Sequence, residues 1–95
     1  MTPMIQSFKC KDTQAMFAGQ TVARFANIRA VAERKLQMLN RAICLDDLRV
    51  PPNNRLEALT RGRKGQHSIR INDQWRLCFA WVDGHARDVE IVDYH

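Results

Sequence analysis

Ser68-Ile69-Arg70-Ile71-Asn72-Asp73-Gln74-Trp75-Arg76-Leu77-Cys78-Phe79-Ala80-Trp81-Val82-Asp83-Gly84 is the stretch that decides the fold. Ile69 and Ile71 alternate with Ser68, Arg70 and Asn72, and Trp75, Leu77, Phe79 and Trp81 alternate with Arg76, Cys78 and Ala80. A period of two marks strands with one buried face, because successive side chains leave the pleat on opposite sides. Asn72-Asp73-Gln74 is short enough to turn the chain, so the two runs are expected to be hairpin partners. Asp83-Gly84 signals a second tight hairpin. It leads into a last strand in which Val89 and Ile91 alternate with Asp88 and Glu90. The result is an antiparallel meander.

Working back from the meander, Leu56, Ala58 and Thr60 alternate in a further candidate strand. Pro51-Pro52-Asn53-Asn54 closes the helical half, since proline removes a donor and disfavours helix in the residue before it. Ile28, Ala32, Leu36, Leu39 and Ile43 recur at steps of three and four, the apolar stripe of one long helix. Asn27 can cap it, and Arg29, Glu33, Arg34, Lys35 and Arg41 form its solvated face. A shorter helix is expected over 13–18, capped by Asp12 and stopped by Gly19. Weak alternation over 4–9 reads as a short first strand. The architecture expected is α+β, with two N-terminal helices packed on one face of a small antiparallel sheet.

The 95 residues make one domain, 1–95, with room for one small core. Hydrophobic content of 45% and charged content of 26% exclude a disordered chain. A net charge of +5 and a pI near 9.6 suit a polyanionic partner. Cys10, Cys44 and Cys78 are odd in number and widely spaced, so neither a disulfide framework nor a zinc set is expected, but reduced, mostly packed thiols. His67, His85 and His95 lack ligand spacing, so no metal and no other cofactor is expected. No apolar run approaches the length of a membrane span, and the N-terminus lacks the pattern of a signal peptide. A cytoplasmic protein without a membrane partner is the expectation.

The alternation also arranges the chemistry. If Ile69 and Leu77 face the helices, Arg70 and Arg76 stand together on the other side of the sheet. A last strand paired with the Trp75 run brings Asp93, Tyr94 and His95 within reach of both arginines. Cleaving RNA without a metal needs a base for the 2′-hydroxyl, an acid for the leaving 5′-oxygen and cations for the charge on phosphorus. His95 has the side chain suited to proton transfer near neutral pH. Asp93 can serve as base or orient a neighbour, and Tyr94 can bond phosphate or stack on a base. Arg70 and Arg76 can clamp phosphate. Arg61, Arg63 and Lys64 form a basic turn with the wrong spacing for a P-loop. His67 and His85 read as surface residues, and Trp75 and Trp81 as core. Composition and spacing reach a basic α+β domain with an RNA or phosphate site.

At these residues the sequence resembles a known family. Arg55-Leu56-Glu57-Ala58-Leu59, the segment from Arg63-Lys64-Gly65-Gln66-His67 through Ser68-Ile69-Arg70-Ile71-Asn72 to Trp75-Arg76-Leu77-Cys78-Phe79, and the ending Val89-Glu90-Ile91-Val92-Asp93-Tyr94-His95 look like HigB toxins of the RelE/ParE superfamily. Arg34-Lys35-Leu36 and Leu48-Arg49-Val50-Pro51-Pro52 extend the likeness into the helical half. The resemblance implies a RelE-like fold and a bacterial type II toxin that cuts mRNA on the 70S ribosome. It also implies neutralisation by a HigA-like helix-turn-helix antitoxin, and contact with operator DNA through the toxin–antitoxin complex. Arg76, Asp93, Tyr94 and His95 match catalytic or mRNA-contacting positions. Arg61, Arg63 and Lys64 match the loop that supplies cations to ribosomal RNA or the scissile phosphate. Glu57 stands where some members have histidine and is a candidate base. His67 stands where a larger aromatic is usual and is a candidate RNA contact. The competing reading is a non-nuclease superfamily toxin, or a basic module that binds antitoxin and DNA.

Overall fold

The computed structural model describes residues 5–59 and 65–93. Thr60, Arg61, Arg63, Lys64, Tyr94 and His95 lie outside the described residues. The meander forms as the alternation requires. Strands β1 (Glu57–Ala58), β2 (Gln66–Arg70), β3 (Trp75–Val82) and β4 (His85–Asp93) make one sheet in the order β1-β2-β3-β4. All three pairings are antiparallel, with Ile69 opposite Leu77 and Leu77 opposite Ile91. At the β2–β3 turn the Asn72 side-chain oxygen accepts from the Gln74 and Trp75 backbone N–H groups. At the β3–β4 turn Asp83 and Gly84 both have positive φ, 52° and 80°. This is the backbone that a two-residue hairpin loop demands and the reason the pair is Asp-Gly.

Two α-helices precede the sheet, α1 (Lys11–Phe17) and α2 (Arg29–Arg41). Ala32, Leu36 and Leu39 on α2 are buried in one cluster with Phe25, Ile28, Ile69, Leu77, Phe79, Val89 and Ile91. Trp75 and Trp81 pack against that cluster, Trp75 edge-on to Phe25 at 5.6 Å between centroids. The chain is thus α+β, with the apolar stripe of α2 and the apolar face of the sheet sharing a core.

Several local expectations are corrected. The residue that caps α1 is Cys10, and Asp12 sits inside the first turn. Residues 23–28 form a 3₁₀ turn (Ala23–Ile28), so Asn27 caps nothing and α2 starts at Arg29. Ile43 lies beyond the end of α2 and is 77% exposed, so the buried stripe stops at Leu39. Lys35 is not on the solvated face: it is 7% exposed and donates to the Asn54 side-chain oxygen. Asn54, itself fully buried, donates in turn to the Leu48 carbonyl. The pair joins α2 to the 3₁₀ turns Leu45–Arg49 and Pro52–Asn54. Of the three free cysteines only Cys78 is buried, and Cys44 is exposed.

Among its described residues the N-terminal segment forms no full strand. Ile5 and Phe8 make isolated parallel bridges to Ala86 and Val89 on β4. Opposite them β4 carries a bulge, with Asp88 at a φ of 52° and the β3 pairing slipping between Cys78 and Ala80. The extra residue lets Ala86 and Val89 both face the core although they are three apart. Ser7 accepts the Asp88 N–H through its hydroxyl and the Val89 N–H through its carbonyl.

Candidate active site

The residues one out of phase with the core meet on the other face of the sheet. Arg70 is directly opposite Arg76, Ser68 opposite Cys78, and Glu57 on β1 opposite Ser68. Ser68 and Arg76 are therefore diagonal neighbours, close enough for long side chains to touch. The Arg76 Nε donates to the Ser68 hydroxyl oxygen at 2.8 Å. Its Nη2 donates to the Arg55 carbonyl oxygen, also at 2.8 Å, and lies 3.8 Å from the Glu57 carboxylate. Arg55 holds a left-handed φ of 46°, which turns the chain out of the Pro52–Asn54 turn and into β1.

Exposure separates the two charges. The Arg76 side chain is 12% exposed and that of Glu57 57%. The cation is therefore fixed and partly desolvated, while the carboxylate beside it meets solvent. The guanidinium is held along one edge by neutral oxygens and paired with Glu57, and its planar fork suits phosphate. Arg70, the second cation of this face, is ion-paired with the Asp73 carboxylate in the β2–β3 turn. The sheet thus brings together Arg76, Arg70 and Glu57. It adds Ser68 and the Arg55 carbonyl, which were not singled out from the sequence. Ser68 was legible in principle: a register pairing Arg70 with Arg76 puts Ser68 diagonal to Arg76 on the same face.

Other candidates are placed elsewhere. Asp93 pairs with Trp75, one step beyond the Arg76–Val92 pair, and accepts from the Gln74 side-chain amide at 3.1 Å. By alternation it shares the parity of Ile91, not that of Arg76. His67 is opposite Phe79 and stacks on its ring, centroids 6.2 Å apart, on the helix-facing side. It is half-buried rather than a surface residue. Burial pushes its pKa down, and its Nδ1 has no hydrogen-bond partner among the described residues. His85 is also half-buried, with Nδ1 in the same condition. Among the described residues no group of His, Cys, Asp and Glu has the arrangement of a metal site. No helix of the described residues is long and apolar enough to cross a membrane.

Comparison with known proteins gives this face a context. A family model described as "RelE-like toxin of type II toxin-antitoxin system HigB" matches residues 6–95. Toxin HigB-1 of Vibrio cholerae serotype O1 is 55% identical over 53 residues, 56% of this chain and 56% of that one. An uncharacterized protein of Haemophilus influenzae is 34% identical over 64 residues, 67% of this chain and 63% of that one. The chain thus spans less than two thirds of the length of either relative.

Proposed function

The chain belongs to the HigB family of RelE-like toxins of type II toxin–antitoxin systems, and we propose that it is a ribosome-dependent mRNA endonuclease whose chemistry is centred on Arg76. The observation that carries this reading is the anchored guanidinium. Arg76 is fixed at Nε by Ser68 and at Nη2 by the Arg55 carbonyl, with the Glu57 carboxylate 3.8 Å away on a face the helices do not cover. In the reaction a base takes the proton of a ribose 2′-hydroxyl and the freed oxygen attacks the adjacent phosphorus. The 5′-oxygen leaves with a proton from an acid, giving a 2′,3′-cyclic phosphate and a 5′-hydroxyl. Arg76 stabilises the charge that accumulates on phosphorus. Glu57 is the carboxylate beside it and the candidate base. His95 is the candidate for proton transfer, Tyr94 for bonding phosphate or stacking on a base, and Asp93 for an alternative base or for orienting either neighbour. His67, stacked on Phe79, is the candidate RNA contact.

No metal or other cofactor enters the proposed reaction. The ribosome supplies what one small site cannot, namely an mRNA held with its 2′-oxygen in line for attack. Arg61, Arg63 and Lys64 supply cations for ribosomal RNA. The partners proposed are the 70S ribosome with its mRNA, and a HigA-like helix-turn-helix antitoxin whose complex with the toxin contacts operator DNA. The proposed compartment is the bacterial cytoplasm, where translation takes place.

The test is cleavage of one mRNA, free and on translating ribosomes. The purified protein should leave the free message intact and cut it on the ribosome, with activity weakening as salt rises. Asp93→Ala and His95→Ala should each lower single-turnover cleavage far more than ribosome binding. Equal losses of binding and cleavage would make the tail a docking element. Growth arrest without any mRNA cleavage would point to a non-nuclease toxin.

A further inference from the structure

One concavity among the described residues is lined by none of the residues around Arg76. It is a groove of ≈ 450 Å³ on the outer side of α2, lined by Arg34, Gln37, Met38, Arg41, Ala42 and Asp47. Of these, Arg34, Gln37, Met38 and Arg41 are on α2, outside the buried stripe of Ala32, Leu36 and Leu39. The groove floor is apolar, from Met38 and Ala42. Two large exposed hydrophobics are tied to its lining by the chain or by a bond: Ile43, 77% exposed and next to Ala42, and Val50, 70% exposed. Val50 is held near Met38 through Asn54, whose side-chain nitrogen donates to the Met38 sulfur and the Val50 carbonyl. Arg34 and Arg41 are exposed, and neither has an ion-pair partner among the described residues. The Asp47 carboxylate is already engaged by the Ile43 and Cys44 N–H groups.

We infer that this groove seats an acidic, amphipathic segment of the antitoxin. The inference rests on membership in a type II toxin family and not on the nuclease reading. Charge complementarity selects the occupant. Arg34 and Arg41 are seven residues apart on one helix, roughly 10 Å along its axis at about 1.5 Å per residue. Carboxylates two turns apart on a partner helix match that spacing, while the apolar face of the same helix covers Met38, Ile43 and Val50. RNA fits less well, because the exposed apolar side chains offer nothing to phosphate. A second copy of the chain fits less well too: the net charge is +5, and a two-fold contact here would set Arg34 and Arg41 against their own images. The groove lies on the helical side of the sheet and Arg76 on the other, so a segment bound here leaves the Arg76 face uncovered.

The experiment is calorimetric titration of the toxin with the purified antitoxin from its own operon. It compares wild type, Arg34→Glu with Arg41→Glu, and Ile43→Asp. All three positions are exposed, and equal melting temperatures will confirm intact folds. The double charge reversal should weaken binding about 100-fold or more and flatten its salt dependence. Ile43→Asp should weaken it about 10-fold. Growth arrest without antitoxin should be unchanged in every variant. Wild-type affinity in all variants overturns the inference. So does loss of growth arrest without antitoxin, which would make the groove a ribosome contact. So does a wild-type dimer that Ile43→Asp splits, which would make it a self-interface. Because affinity is read from heat, failure of the nuclease proposal leaves this result standing, and the reverse holds too.

Discussion

On the helix-facing side of the sheet, Ile69, Leu77, Phe79, Val89 and Ile91 are buried against Ala32, Leu36 and Leu39. On the other side, Ser68, Arg70, Arg76 and Cys78 stand in the same strands, one residue out of phase. Ser68 and Cys78 are as fully buried as Leu77, yet the two faces are held by different forces. The helix side depends on area removed from water, which is non-directional and tolerant of exchange between apolar side chains. The Arg76 side depends on donor–acceptor geometry, where losing one partner strands another in a desolvated place. The first face sets stability and the second sets the position of a charge.

The sharpest way to break this contrast is Leu77→Ala. It removes a fully buried side chain from the shared core, and stability should fall by about 2–5 kcal/mol in denaturant titration. A loss below about 1 kcal/mol would mean that the helices and sheet are not one packed unit. Arg76→Ala should show the opposite profile. Single-turnover cleavage on the ribosome should fall by roughly two to three decades, about 2.7–4 kcal/mol, while stability falls by only about 1–3 kcal/mol as the Ser68 hydroxyl loses its donor. If cleavage survives in a folded Arg76→Ala protein, the proposed site is wrong. If stability collapses instead, the guanidinium serves to anchor β1.

A third test probes the buried polar joint between the helix and the turns before β1. Asn54→Ala removes the acceptor of the Lys35 ammonium and the donor to the Leu48 carbonyl. The cost should be about 1–3 kcal/mol, larger than for substitution of an exposed neighbour such as Asn53. Lys35 sharpens the point, because burial already pushes its pKa below the ordinary lysine value. The smallest expected effect belongs to His67. Burial lowers its pKa, so the folded state favours neutral imidazole, while the unfolded chain takes up a proton near the usual value of about 6.5. Its contribution to stability is complete above that pH and declines as the pH falls towards the lowered folded value. His67→Phe should reduce the drop in melting temperature between pH 7.5 and 5.5. An unchanged drop would place the acid sensitivity elsewhere.

Much of the molecule is readable from residue order alone. Period-two alternation from Ser68 to Trp81 and the Asp83-Gly84 turn require a hairpin meander, since a slip of one residue would turn Leu77 to solvent and Arg76 to the core. The same register pairs Arg70 with Arg76. The stripe of Ala32, Leu36 and Leu39 similarly requires a helix with one buried side. These are local rules, and each needs only neighbours along the chain. Tertiary structure decided the rest. Lys35 is buried because Asn54, nineteen residues away, comes back to receive it, and nothing in the helical period can announce a distant acceptor. Arg76 acquires a fixed orientation because the turn at Arg55 delivers a carbonyl and Glu57 to the edge of β2. Asp93 falls out of phase with Arg76 because the β3–β4 register pairs it with Trp75. Pattern and turn chemistry determine which face each side chain leaves from; partners brought from far along the chain determine what it meets there.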